Sequence, residues 1–417
     1  MINDLIVWWD DRDVGRLSIN RSGEMHFAYS EAWLADTTAP ALSISLPKRP
    51  EPFSRRRSRP FFDGLLPEEG QREAIAAALG ISEGNEFRLL EKLGGEVAGA
   101  LVLWPSGEPP PDPGDATAKT PLSDDDLIGV LDRLPRRPML AGEAGLRLSL
   151  AGAQSKLPVV LVENKVALPA PGQPTTHILK PPIERFEATT ENEAFAMRLA
   201  ARMNLDVASV EARRVADRTY LLVERYDRKR LDDGRVKRLH QEDFCQALGV
   251  FPERKYAAEG GPTFKACFDV IRQACTRPAV QVLKLLDAAI FQALIGNADA
   301  HGKNYSLLHH DDGAVLAPLY DLLSTVAYPD LSPTFAMKIA SRGTLAAFKK
   351  GDWDAFARDV GVAAPFTRRR VKELADLGAE TAEAVADELG HGGLSDQALA
   401  ACVTRVRTRA AALLKTV

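Results

Sequence analysis

Behind an apolar run, the stretch Ile295-Gly296-Asn297-Ala298-Asp299-Ala300-His301-Gly302-Lys303-Asn304-Tyr305 crowds carboxylate, amide, imidazole and ammonium groups together. Asn304 lies five positions after Asp299, and Asp321, within Pro318-Leu319-Tyr320-Asp321-Leu322, lies twenty-two after it. Those three groups at that spacing are the minimal set for phosphoryl transfer. Asp299 would orient and deprotonate an acceptor hydroxyl, while Asn304 and Asp321 would hold magnesium against ATP phosphates. One histidine among Asp and Asn oxygens suits a hard cation such as magnesium better than zinc. His301 and Lys303 could touch the transferring phosphate or neutralise its developing charge. The spacing fits a loop, a strand and a return strand around one cleft.

Such chemistry needs groups to grip the nucleotide, and these lie upstream. The β-like run 177–180 ends on Lys180, and Glu193 follows thirteen residues later in the first turns of the next helix. A strand lysine held by a helix glutamate is the usual grip on ATP phosphates. The small-residue turn 148–156, with Ala151, Gly152, Ala153, Gln154, Ser155 and Lys156, would let backbone N–H groups approach phosphate oxygens. It is neither a Walker loop nor a G-x-G-x-x-G loop. Glu224-Arg225-Tyr226-Asp227-Arg228 closes the strand-rich half before a charged turn at 229–237, where a hinge offering backbone groups of 224–226 to adenine should sit. Taken singly, each has an ordinary alternative: a surface lysine, a hairpin turn, a charged loop. Their order ahead of the acidic set favours the nucleotide reading.

Length and composition frame this. At 417 residues, two or three domains are expected. A hydrophobic share of 45% and a charged share of 26% belong to a globular protein, and the net charge of −4 creates no global pull toward nucleic acid or anionic lipid. The run Arg55, Arg56, Arg57 and Arg59 reads as a solvated loop. Cys245, Cys267, Cys275 and Cys402 lack metal or disulfide spacing, which suits a reducing cytoplasm. The first residues do not read as a signal peptide, and no apolar run approaches the roughly 18 residues of a membrane span. Residues 1–104 read as a small α+β subdomain and 105–122 as a Pro/Gly-rich linker. Residues 123–226 read as a strand-rich lobe containing the phosphate loop, with Ser123 capping a helix at 124–134. Residues 227–417 read as a helical lobe carrying the catalytic and metal-binding loops, with a buried helix at 281–295.

Further motifs sharpen the reading. They are F-F-D-G-L-L-P-E (61–68), S-L-A-G-A-Q-S-K (149–156), T-T-H-I-L-K (175–180), N-E (192–193), V-E-R-Y-D-R (223–228), Q-E-D-F-C-Q (241–246), K-Y and G-G-P (255–262), I-G-N-A-D-A-H-G-K-N (295–304) and P-L-Y-D (318–321). Together they resemble the HipA-type serine/threonine kinases, toxin halves of bacterial HipBA toxin–antitoxin pairs. The resemblance implies an α+β, two-lobe protein-kinase-like fold behind a small N-terminal subdomain, with a helical C-terminal lobe. It implies ATP held by 151–156, Lys180, the backbone of Glu224, Arg225 and Tyr226, His301, Gly302, Lys303, Asn304, Tyr320 and Asp321. Magnesium would sit on Asn304 and Asp321, Glu193 would pair with Lys180, and Asp299 would be the base.

By the same resemblance Ser149 is the autophosphorylation site. Phosphate there adds about −1.5 to −2 charge to a tight loop and should eject it, turning the kinase off. The implied substrate is an aminoacyl-tRNA synthetase of the glutamyl type, phosphorylated to arrest translation. The implied partners are a HipB-like helix-turn-helix antitoxin and, through it, operator DNA, with no membrane and a bacterial cytoplasmic location. Two departures stand out: Ser155 where many relatives carry an acid, and Ala300 where glycine often follows the aspartate. Two other readings remain open from the residues: a corepressor scaffold for an antitoxin, and a small-molecule phosphotransferase with the same Asp…Asn…Asp layout.

Overall fold

The computed structural model describes residues 3–108, 110, 120–143 and 145–417. Most of the expected 105–122 linker therefore lies outside the described residues. The chain forms two compact units, Met1–Pro181 with Arg213–Pro252, and Pro182–Ala212 with Glu253–Val417.

The first unit opens with strands β1 (Asp4–Trp9), β2 (Arg12–Ile19) and β3 (Met25–Tyr29), then helices α1 (Glu31–Ala35), α2 (Arg55–Asp63), α3 (Glu69–Leu79) and α4 (Glu86–Leu93), and strand β4 (Leu101–Pro105). The strands form an antiparallel sheet in the order β3-β2-β1-β4. Alternation builds its inner face: Met25, Phe27 and Tyr29 are buried, as are Leu5, Val7 and Leu17. Gly15 is required where β2 meets β3, because a Cβ there would lie 2.3 Å from the Ala28 carbonyl oxygen.

The arginine run is not a loop. Arg55, Arg56, Arg57 and Arg59 lie on α2, whose other face buries Phe61, Phe62 and Asp63. Arg55 pairs with Glu86 at 3.0 Å and Arg59 with Asp63 at 2.9 Å. The exposed face of a helix has the same charge pattern as a solvated loop, and the distant partner decided between them.

After helix α5 (Asp124–Arg133), capped by Ser123 as expected, comes a second antiparallel sheet. Its strands are β5 (Leu157–Val162), β6 (Lys165–Ala167), β7 (His177–Lys180), β8 (Val210–Val215) and β9 (Arg218–Glu224), in the order β6-β5-β7-β9-β8. The segment read as a charged turn at 229–237 is instead a hairpin, β10 (Arg228–Arg230) with β11 (Val236–Arg238), followed by β12 (Gln241–Asp243) and α7 (Phe244–Leu248).

That hairpin forms because two of its arginines find buried counter-charges. Glu96, 3% exposed, accepts from Arg228 at 2.8 Å, from Arg238 at 2.7 and 3.0 Å, from Arg225 at 3.2 Å and from Thr175 at 2.8 and 2.9 Å. Asp227 accepts from Arg225, from Arg228 and from the Gly99 N–H at 2.7 Å. The cluster ties residues of the N-terminal segment to those at 225–238.

The second unit is helical: α6 (Thr189–Arg202), α8 (Phe264–Ala274), α9 (Pro278–Ile295), α10 (Asp352–Asp359), α11 (Ala364–His391) and α12 (Asp396–Leu414), with the hairpin β13 (Ser306–His310) and β14 (Gly313–Leu316). Pro278 starts α9 at a first-turn position that needs no N–H, and Gly296 ends it with a left-handed φ of 77°. Helix α9 is apolar enough over 18 residues to meet a membrane-span criterion, unlike the expectation from sequence, and 67% of it is buried inside the protein. Helices α8, α11 and α12 pack around it. Gly378 of α11 permits close approach, since a Cβ there would sit 2.6 Å from Leu294.

Candidate active site

Where α9 ends, the chain delivers its polar groups in a braced turn. Gly296 and Asn297 both donate to the Gln292 carbonyl, closing the helix. No side chain fits at 296, because a Cβ would meet Val326 at 2.5 Å. Asn297 Oδ1 then accepts the Asp299 N–H at 3.0 Å. Asp299 is exposed between buried Ala298 and Ala300, so the backbone is anchored and the carboxylate faces outward.

The next turn, 302–304, is closed by reciprocal bonds. His301 N–H donates to Asn304 Oδ1 at 3.1 Å and Asn304 N–H to the His301 carbonyl at 3.0 Å. The Asn304 amide nitrogen donates to Asp321 Oδ2 at 3.0 Å, and Tyr320 Oη donates to the Lys303 carbonyl at 2.6 Å. The structure thus brings Asn304 beside Asp321 and Tyr320 beside Lys303, with His301, Gly302 and Lys303 buried in the same turn. Asp321 holds a left-handed φ of 57°, which a non-glycine residue keeps only where its surroundings over-determine it.

These residues fit a hard divalent cation. Asn304 Oδ1 has a second lone pair beyond the one facing His301, and Asp321 adds carboxylate oxygens. Among the described residues no cluster of three His, Cys, Asp or Glu forms a protein-only metal cage. Magnesium is commonly bound by one or two protein groups plus substrate phosphates, and the oxygens of Asn304 and Asp321 are donors of that type.

One residue given no role on sequence grounds joins this unit's site. Tyr256 Oη donates to Asp299 Oδ1 at 2.9 Å, across 43 positions. Its loop turns back through Gly261, whose N–H donates to the Tyr256 carbonyl at 2.9 Å, and Pro262 packs where a Cβ on Gly302 would lie only 2.5 Å away. The K-Y and G-G-P motif at 255–262 was therefore the available signal, but spacing alone does not show what it touches. If Asp299 is the base, Tyr256→Phe should lower kcat about 10- to 100-fold, the worth of one hydrogen bond to a charged group, and leave the KM for ATP unchanged. Steady-state kinetics with each substrate varied would check this.

In the first unit the small-residue loop is half-buried and bonded to its neighbours. Lys156 Nζ donates back to the Ala151 carbonyl at 2.7 Å, and Gly152, at φ 109°, would bring a Cβ to 2.6 Å from that ammonium. Glu68 N–H donates to the Gly152 carbonyl at 3.2 Å and Ser155 Oγ reaches Gln71 at 3.3 Å. Ala153 is exposed and Gln154 half-buried. Ser149 is fully buried, its Oγ donating to the Leu65 carbonyl at 2.7 Å and its N–H to the Glu96 carbonyl at 2.9 Å.

Lys180 ends β7 as a buried lysine, 6% exposed, opposite Leu221. Of the 224–226 segment, Arg225 has its N–H on the Thr176 carbonyl and its carbonyl on the Arg228 N–H. Glu224 is exposed, and Tyr226 Oη donates to Gln241. Glu193 is buried, 2% exposed, on α6, which belongs to the second unit.

The chain is similar to known proteins along most of its length. Residues 5–104 match the HipA N-terminal domain and residues 148–388 the HipA-like C-terminal domain. A Sinorhizobium fredii protein, Y4mE, whose name marks it as a candidate kinase, is 61% identical over 92% of this chain and 91% of its own. The serine/threonine-protein kinase toxin HipA of Shewanella oneidensis is 33% identical over 67% of this chain and 66% of its own. The solved structure of Shewanella oneidensis HipA with HipB and operator DNA superposes with a TM-score of 0.84 at 27% identity, covering 97% of this chain and 96% of that one. The fold is therefore the mixed α+β, protein-kinase-like fold expected from the sequence. The chain belongs to the HipA family.

Proposed function

We propose that this chain is the kinase toxin of a toxin–antitoxin pair, transferring the γ-phosphate of ATP to a serine or threonine hydroxyl. The observation that carries the reading is Asp299, exposed on a backbone of buried neighbours, in the same unit as Asn304, whose side-chain amide is bonded to the Asp321 carboxylate. Asp299 orients the acceptor hydroxyl and takes its proton, and Tyr256 keeps the carboxylate turned for that task. Asn304 and Asp321 would hold magnesium, which supplies neutralisation of phosphate charge. His301, Gly302, Lys303 and Tyr320 shape the turn that holds Asn304 in place. Lys180 and the 151–156 loop are assigned to ATP phosphates, and Glu224 and Tyr226 to adenine, because both backbone groups of Arg225 are already bonded.

Ser149 is the assigned autophosphorylation site. Its hydroxyl lies fully buried against Leu65, so a phosphate there is incompatible with this packing and would drive the 148–156 segment out. The likeness to a HipA–HipB–operator assembly supports a HipB-like antitoxin and, through it, operator DNA as partners in the bacterial cytoplasm. A net charge of −4 leaves most phosphate neutralisation to that partner. An aminoacyl-tRNA synthetase of the glutamyl type is the proposed acceptor. Incubating the chain with Mg–ATP and a panel of purified synthetases, then locating phosphate by peptide mass spectrometry, tests this. Phosphoserine on one synthetase is expected, and an untouched panel beside active autophosphorylation would contradict the substrate assignment.

A further inference from the structure

Asn192 takes no part in the phosphoryl-transfer set, yet its buried amide is heavily engaged. It sits near the start of α6, 3% exposed, inside the second unit. Its Oδ1 accepts the Ser324 N–H at 2.8 Å, and its Nδ2 donates to the Ser324 carbonyl and to Tyr328 Oη, both at 3.0 Å. A side-chain amide here pairs both backbone groups of one residue, as a neighbouring strand would. The Ser324 hydroxyl itself is buried with no hydrogen bond, so that residue is held by its backbone.

The adjoining residues are tied to the other catalytic loop. Thr325 Oγ1 accepts the Ala298 N–H at 2.7 Å and donates to the Gly296 carbonyl at 3.3 Å. Val326 N–H donates to the same carbonyl at 3.2 Å. Ser324 comes three residues after Asp321, and Ala298 immediately precedes Asp299. Segment 324–326 is thus clamped to α6 by Asn192 and to the Asp299 loop by Thr325. Nearby, Asp321 keeps a left-handed backbone that needs outside support.

We propose that Asn192 is a positioning residue: through 324–326 it sets Asp321 and Asp299 in one register, so that a shift of α6 reaches both. The roles of the two aspartates rest on the kinase reading above; the clamp rests on the bonds. A clamp of this kind makes the metal-binding oxygen and the candidate base respond together to one helix. A side chain serving only stability would have no such selectivity.

The test compares Asn192→Ala and Thr325→Val with wild type by amide hydrogen exchange, calorimetric binding of Mg–ATP, and transfer rate against magnesium concentration. Asn192→Ala is expected to speed exchange in 296–304 and 321–328 about tenfold, with α11 and α12 unchanged, and to lower kcat about tenfold. It should also raise the magnesium needed for half-maximal rate several-fold. Thr325→Val, which frees only the Asp299 side, should speed exchange in 296–304 and lower kcat while the magnesium requirement stays within about twofold. Asn192→Ala with both segments and the magnesium requirement at wild-type values overturns the proposal, as does exchange rising evenly through the unit. If the wild type transfers no phosphate at all, the kinase reading fails. The exchange arm then still decides for or against the clamp.

Discussion

Asp299→Ala is expected to lower phosphoryl transfer by about 10²–10⁴-fold, the usual worth of a positioned general base, while ATP binds as before. The reason is placement. The Asp299 carboxylate is exposed on an anchored turn and bonded to Tyr256, so it faces away from the core. Asp321→Ala should behave differently, because it removes the carboxylate that lies beside the Asn304 amide. That loss should weaken Mg–ATP binding as well as turnover. Steady-state kinetics on both variants, with ATP and acceptor varied separately, distinguishes the roles. Equal effects on ATP binding from the two variants would contradict the division of labour.

Glu96→Gln is expected to cost about 3–5 kcal/mol, because it leaves buried guanidiniums without their counter-charge. Three arginines, Arg225, Arg228 and Arg238, surround Glu96 and Asp227, so the cluster already carries one excess positive charge. Removing Glu96 doubles that excess in a water-poor site. Domains are commonly stable by only about 5–15 kcal/mol, so the loss should be evident in denaturant titration. A second change, Glu96→Gln with Arg238→Met, should recover part of it, and a double variant worse than the single one would refute the charge argument.

The same cluster sets an acid limit. Burial pushes the Glu96 carboxyl up, but Arg228, Arg238 and Arg225 more than offset it, and its pKa falls well below the ordinary 4.5. Burial likewise opposes and Arg225 and Arg228 outweigh it at Asp227, whose pKa falls below 3.8. Carboxyls with depressed folded-state pKa values contribute stability that is present above their unfolded values and lost as pH falls through the folded ones. Stability of the wild type should therefore decline as pH drops below about 4, and the Glu96→Gln variant should show a shallower decline. Unfolding free energy measured against pH in both proteins checks the sign.

Much of the site was legible because its parts are close in sequence. Asp299, Asn304 and Asp321 lie within one loop and one hairpin, so their spacing alone predicts that a strand pair returns one to the other. Helix α9 was legible as an apolar run, with its start three residues earlier than periodicity alone placed it. What stayed hidden depends on long-range pairing. Tyr256 reaches Asp299 across 43 positions, Asn192 reaches Ser324 across 132, and Glu96 meets Arg238 across 142. No local pattern encodes such meetings. The arginine run at 55–59 was misread for the same reason: Glu86, the carboxylate that pairs with Arg55, is 31 residues away. The burial of Ser149 was equally unreadable, since a serine in a small-residue turn looks the same whether exposed or, as here, bonded to the Leu65 carbonyl.

The central claim, transfer of phosphate from ATP by the two loops that carry Asp299 and Asp321, is tested most directly on the chain itself. Intact-mass and peptide mass spectrometry after incubation with ATP and magnesium should show one added phosphate on Ser149 in the wild type. Asp299→Ala and Asp321→Ala should show none. An unmodified wild type that also phosphorylates no acceptor, or an Asp321→Ala variant modified as fast as wild type, would contradict the account.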